Sequence, residues 1–220
     1  MDIAARHPDE AARREADGFV ALLTPVVKAA FTDFGFETAV ASQQVLGGHG
    51  YIREWGMEQF VRDARITQIY EGTNGVQALD LVSRKLPVED GALASRFFAL
   101  IEQDLRTAAD LPAAGVITKA TARALGRLET TTRHLPAARA APAEAGAAAA
   151  DYLRLFALVA FGWVWVRMAA KAATGQTPLH RRKLATATFF AERVLPQTLW
   201  LEAAIISGAA SLMDIEAELL

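Results

Sequence analysis

Apolar residues recur at three- and four-residue spacing along nearly the whole chain, and no segment alternates with the period of two that a half-buried strand requires. Alanine, leucine, arginine and glutamate, all strong helix formers, fill the positions between. The pattern predicts an all-α protein, a helical bundle followed by further helices. A first helix is expected over residues 9–23. Thr24 followed by Pro25 has the form of an N-cap with proline at the first helical position, so a second helix is expected over residues 25–46. Gly47, Gly48 and Gly50 end it. Further helices are expected at about 57–70, from a cap at Thr73 or Asn74 to 86, and at about 89–111, 115–135, 147–173, 179–195 and 196–206. The Pro-, Ala- and Gly-rich stretch 136–146 is the expected linker.

The texture changes near residue 87. Before it the chain is varied and punctuated by glycine; after it the helices are alanine-rich and monotonous. Two helical subdomains of one bundle-like body are expected, residues 1–87 and 88–220.

Composition narrows the function classes. With 52% hydrophobic and 22% charged residues, the chain can bury a sizeable core. The 23 basic and 25 acidic residues nearly balance, which argues against a nucleic-acid partner, since such proteins concentrate positive charge. The absence of cysteine excludes disulfides, thiolate zinc sites and cysteine nucleophiles, and makes a cytoplasmic location the expectation. His7, His49, His134 and His180 are scattered, so no metal site is expected. The longest apolar run, LFALVAFGWVWV at 155–166, is too short to cross a bilayer. It reads as a buried core helix, which argues against membrane contact. Trp163 and Trp165 lie two apart and cannot share one helix face, so one of them is a candidate for an interface with a neighbouring domain or subunit.

Two short stretches could carry chemistry. In QIYEGTNG, residues 68–75, Glu71 falls where one helix stops and another starts, and the amides of Gly72, Thr73 and Asn74 would lack intrahelical partners. Such N–H groups favour an anionic or polarised oxygen. Glu71, if walled by Ile69 and Tyr70, could serve as a general base; it could equally be a solvated turn residue. LGGHGY, residues 46–51, could bring backbone close to a phosphate or simply cap a helix; it has neither the spacing of a dinucleotide-binding loop nor the Lys of a Walker loop. Asp33-Phe34-Gly35 copies a kinase triplet without the motifs that accompany it, and reads as chance.

Taken together, QVLGGHGY at 44–51, RDA at 62–64 and IYEGT at 69–73 resemble the C-terminal helical domain of the acyl-CoA dehydrogenases, in that family's order. The resemblance implies that Glu71 is the base removing the α-proton of an acyl-CoA thioester, with FAD accepting a hydride from the β-carbon and a trans-2-enoyl-CoA as product. It implies that the Glu71 N–H helps bind the thioester carbonyl, that Thr73 contacts the flavin, and that Gln44, Gly47 and Gly48 approach the FAD of a neighbouring subunit. It further implies that Tyr70 and Gly72 shape the acyl pocket, that Arg62 and Asp63 fix helix packing by an ion pair or caps, that the protein is a homo-oligomer, and that an electron-transfer flavoprotein accepts the electrons. Gly75 departs from the Glu or Gln often found at its position. The residues after 87 resemble the extension of a subgroup that includes 3-(methylthio)propanoyl-CoA dehydrogenase. The resemblance also implies flavin- and CoA-binding domains preceding this region. The chain by itself is therefore expected to be colourless and inactive, the tail of a longer enzyme, or else a helical oligomerisation or binding module without catalysis.

Overall fold

A computed structural model describes residues 1–139 and 141–214, the side chains of 136–139 excepted. Every regular element among them is helical. In chain order the helices are α1 (Asp2–Arg6), α2 (Glu10–Val45), α3 (Gly48–Tyr51), α4 (Met57–Thr67), α5 (Asn74–Asp80), α6 (Ala92–Ala108), α7 (Gly115–Arg139), α8 (Pro142–Ala172), α9 (Pro178–Phe189), α10 (Gln197–Ile206) and α11 (Ala210–Met213).

Helix α2 replaces the two helices expected around Thr24 and Pro25. Its 36 residues run unbroken, starting at Asp9, whose carboxylate accepts from the Ala11 N–H at 3.0 Å. Thr24 is not a cap: its hydroxyl donates to the Val20 carbonyl at 2.6 Å. Pro25 is buried inside the helix. A mid-helix proline removes one N–H, but packing of Leu22, Val26, Ala29 and Ala30 into the core holds the segment helical across it. Local propensity pointed to a boundary, and tertiary burial overrode it.

Helix α8 organises the body. It is apolar on almost every face, as a helix surrounded by others must be, and packs against α2, α5, α6, α7, α9 and α10. Tyr152, Leu155, Phe156, Leu158 and Val159 are fully buried. Phe156 lies parallel to Phe97 of α6, with centroids 5.7 Å apart. The apolar run 155–166 is thus a core segment, as expected. The helices α2 and α8 themselves are, by length and composition alone, long and apolar enough to cross a membrane, which corrects the reading from the shortness of the run; half of the apolar window of α8 is buried within the chain. Both tryptophans are packed within the chain: the Trp163 indole N–H donates to Asp104 of α6 at 2.6 Å, and Trp165 lies against Phe190 and Lys183. Both keep part of their surface exposed.

One hydrophobic core runs through residues on both sides of position 87, from Leu22 and Leu81 to Phe156 and Leu201. The expected linker is mostly helix: α7 extends to Arg139 and α8 begins at Pro142, while residue 140 lies outside the described residues. Helix α6 starts three residues later than expected, because Glu89, Asp90 and Gly91 all take positive φ. Arg96 braces this left-handed turn through the Glu89 carboxylate at 2.8 and 3.2 Å, which holds the Glu89 carboxyl below its ordinary value.

Across the front of the body, α2 is gripped on two sides. Phe31 and Phe34 lie against Phe161 of α8, and the Arg154 guanidinium bonds both oxygens of Glu37 at 2.7 and 3.3 Å while lying 4.9 Å from the Phe34 ring centroid. The opposite grip carries the site.

Candidate active site

Helix α4 ends at Thr67, and the chain makes a tight turn before α5 begins at Asn74. The turn is closed at its base by a backbone hydrogen bond from the Asn74 N–H to the Gln68 carbonyl at 3.2 Å. Glu71 sits at its apex with φ of 55°, and Gly72 follows at 80°. The left-handed region is costly for a glutamate, and residues held there cluster at functional sites. Glycine at 72 carries no such cost. Thr73 caps α5, its hydroxyl oxygen accepting from the Val76 N–H at 3.3 Å.

The N–H groups of Glu71, Gly72 and Thr73 make no hydrogen bond among the described residues, whereas Asn74, expected to be free as well, spends its N–H on closing the turn. Three consecutive N–H groups at the apex of the turn, that of Glu71 among them, therefore remain open to a partner. Gln77 fixes the apex from behind, its amide donating to the Glu71 carbonyl at 3.3 Å. Glu71 itself is exposed, and Ile69 and Tyr70 are 46% and 48% exposed, so these two do not wall the carboxylate off from water.

The base of the turn is held from α2. Asp33 Oδ1 accepts from the Gln68 side-chain amide and from the Asn74 side-chain amide, both at 2.6 Å. Lys28 donates to the Asn74 side-chain oxygen at 2.8 Å, and Asn74 also donates to the Thr32 hydroxyl at 3.0 Å. No sequence pattern flagged Asp33, Lys28 or Thr32; the one signal was the DFG triplet, which reads as chance. The resemblance to kinases is still chance, but Asp33 is an anchor.

The second candidate stretch forms a separate corner. Gln44 lies in the last turn of α2, eleven residues beyond Asp33 and so about 17 Å along the axis, and Gly47 and Gly48 follow just past the helix end. Gly47 has a φ of 58°, and a Cβ at either Gly47 or Gly48 would project into open space. The backbone here is open to close approach, which fits a flat cofactor lying against it. The Gln44 side chain is exposed and makes no hydrogen bond among the described residues; that of its neighbour Gln43 instead folds back to donate to the Gly50 carbonyl at 3.2 Å. Gly50 is the constrained glycine, since a Cβ there would strike the Gln43 carbonyl oxygen. Around this corner Val45 is 85% and Tyr51 81% exposed, with Trp55 and Phe60 also uncovered.

Arg62 and Asp63 do not tie α4 to its neighbours by an ion pair. Both are exposed; Asp63 accepts from Gln59 one turn earlier at 2.7 Å, and Arg62 has no ion pair among the described residues. No group of residues able to hold a metal ion occurs among the described residues.

Comparison with known proteins assigns this architecture. Residues 3–86 match the family described as "Acyl-CoA dehydrogenase, C-terminal domain", and residues 97–216 match "Acetyl-CoA dehydrogenase C-terminal like". A 3-methylmercaptopropionyl-CoA dehydrogenase of Ruegeria pomeroyi is 36% identical over 205 residues, covering 89% of this chain and 34% of the relative. The broad-specificity linear acyl-CoA dehydrogenase FadE5 of Mycobacterium tuberculosis is 29% identical over 80% of this chain and 31% of its own length. A butyryl-CoA dehydrogenase of Syntrophomonas wolfei is 31% identical over 50% of this chain. The chain belongs to the acyl-CoA dehydrogenase family and carries its all-α C-terminal region. It spans about a third of the length of the first two relatives.

Proposed function

We propose that this chain supplies the catalytic base and part of the cofactor contact for flavin-dependent α,β-dehydrogenation of an acyl-CoA thioester, acting with the flavin- and CoA-binding regions that the family resemblance implies. The observation carrying the reading is Glu71: a carboxylate at the apex of a pinned turn, in a left-handed conformation, beside three unpaired N–H groups. The Glu71 carboxylate takes the α-proton. Its own N–H donates to the thioester carbonyl, where negative charge builds as the proton leaves. Tyr70 and Gly72 border the acyl chain, and the exposed side chains of Ile69 and Tyr70 exclude water once covered. Thr73 would touch the flavin that serves Glu71, and Gln44, Gly47 and Gly48, at the open corner of α2, would approach the FAD of a neighbouring subunit. Bound FAD would supply the acceptor for the hydride from the β-carbon, with a trans-2-enoyl-CoA as product.

The reading extends to residues 1–87 as the dehydrogenase domain and 88–220 as its helical extension, to a homo-oligomer with an electron-transfer flavoprotein as acceptor, and to a cytoplasmic location. The test is Glu71→Gln in the flavin-loaded enzyme containing this chain. Reduction of bound flavin by acyl-CoA should slow by about a thousandfold, with flavin content unchanged. A variant that reduces its flavin at near the original rate removes Glu71 from the reaction.

A second reading, a helical oligomerisation or binding module, is favoured by the exposure of Glu71 and of the apolar residues around Tyr51. Flavin absorbance of the purified protein separates the two. In the longer protein containing this chain, stoichiometric flavin supports a working site, and a colourless, self-associating protein supports the module. The 220 residues alone are expected to be colourless and inactive.

A further inference from the structure

Gln68 and Asn74 are the two ends of the turn, six residues apart, and Glu71 is its midpoint. Their side-chain amides converge on one oxygen, Asp33 Oδ1, each at 2.6 Å. The same pair closes the turn through the backbone. Asn74 spends the rest of its side chain on α2, its oxygen receiving Lys28 and its amide reaching Thr32 and the Ala29 carbonyl. The helix holding Asp33 cannot easily yield, because its adjoining residues Phe31, Phe34 and Glu37 are held by Phe161 and Arg154 of α8. The α2 segment 31–37 is therefore clasped by the extension on one side and clasps the turn on the other.

We propose that Asp33 is a positioning residue for Glu71: its Oδ1 pins both ends of the turn and so sets where the Glu71 carboxylate and N–H stand. The proposal rests on Glu71 as the base. Asp33 touches neither the carboxylate nor any reacting atom, and acts through Gln68 and Asn74. Charged hydrogen bonds of this length are strong and directional, and a displacement of about 1 Å in a reacting group costs on the order of a hundredfold in rate.

The experiment compares Asp33→Ala, Asp33→Asn and Glu71→Gln in the flavin-loaded enzyme, by single-turnover flavin reduction with an acyl-CoA. Asp33→Ala should slow reduction by about ten- to a hundredfold, with flavin content kept and KM altered less than about threefold. Asp33→Asn keeps an acceptor oxygen in place and should recover the rate to within about threefold. In the 220-residue chain, Asp33→Ala should also speed hydrogen exchange at the Asn74 amide by about tenfold while Leu158 stays protected. An Asp33→Ala enzyme that reduces flavin normally while Glu71→Gln does not overturns the positioning role and leaves the base assignment standing. Equal losses in Asp33→Ala and Asp33→Asn overturn the hydrogen-bond account. A Glu71→Gln enzyme of normal rate overturns both. Should Asp33→Ala not fold, Gln68→Ala removes one of the two donors without touching α2. A severalfold slowing supports the proposal, and an unchanged rate overturns it.

Discussion

The block from Gln44 to Leu86 and the helices from α6 onward bury their apolar residues differently. In the first, Val45, Tyr51, Trp55, Phe60, Ile66, Ile69 and Tyr70 stand exposed on short helices joined by left-handed glycines. In the second, the large side chains of α6, α7 and α8 close over one another, and Thr121, Thr131 and Thr198 are buried with them. The contrast separates two tasks. The front block leaves backbone and side chains open at its surface, as the proposed site requires. The helices behind supply the burial that holds α2 in place, and α2 in turn holds the turn. A functional surface of this kind borrows its order from a core elsewhere.

The sharpest way to break the comparison is to open the rear core. Phe156→Ala removes a fully buried ring stacked on Phe97 and should cost about 3–5 kcal/mol in urea unfolding. Because one core crosses residue 87, the front block should unfold in the same transition. A Glu71 turn that melts separately, at its original midpoint, would divide the body in two.

A smaller effect probes the joint between the regions. Arg154→Ala removes the guanidinium that links Glu37, Gln197 and the face of Phe34. With Glu37 half exposed, the loss should be only about 1 kcal/mol and should shrink in high salt. A loss that salt leaves unchanged would assign Arg154's contribution to packing against Phe34 instead.

The smallest effect sharpens the account of the core's edge. Burial pushes the Asp151 carboxyl above its ordinary value, with the nearby Arg154 charge opposing. The folded state then holds the proton more firmly than the unfolded state. The group's stabilising contribution is complete below the ordinary value of 3.8 and is lost as pH rises through the raised one. Asp151→Asn should therefore raise the melting temperature at pH 7 by roughly 1–2 °C, a gain that disappears in acid. A gain that persists at low pH would mean that the substitution acts through packing.

Much of this was legible along the chain. The helical class, the glycine stop at Gly47, the cap at Thr73 and the interruption at Gly72 follow from local chemistry, and the three motifs together marked the family. Legibility failed where distant contacts overruled local preference. Thr24-Pro25 has the form of a helix start, yet core packing carries α2 straight through it. The stretch 136–146 has the composition of a linker, yet helices occupy most of it. Trp163 and Trp165 point to different faces, and each finds partners within the chain, Asp104 and Phe190, that lie far from it in sequence or on another helix. Asp33 went unseen as an anchor because its partners lie 35 and 41 residues away.

The sequence by itself determined the helical class, the glycine interruptions at Gly47 and Gly72, and that a glutamate stands between a tyrosine and a glycine at one of them. These depend on backbone sterics and on hydrogen bonds spanning a few residues, which short patterns record. Only the tertiary structure decided that α2 is one helix, that α8 lies at the centre of the body, and that one carboxylate oxygen of Asp33 ties the turn at both ends. Those outcomes depend on which surfaces meet when apolar area leaves water, and no stretch of a few residues specifies its partner across the fold.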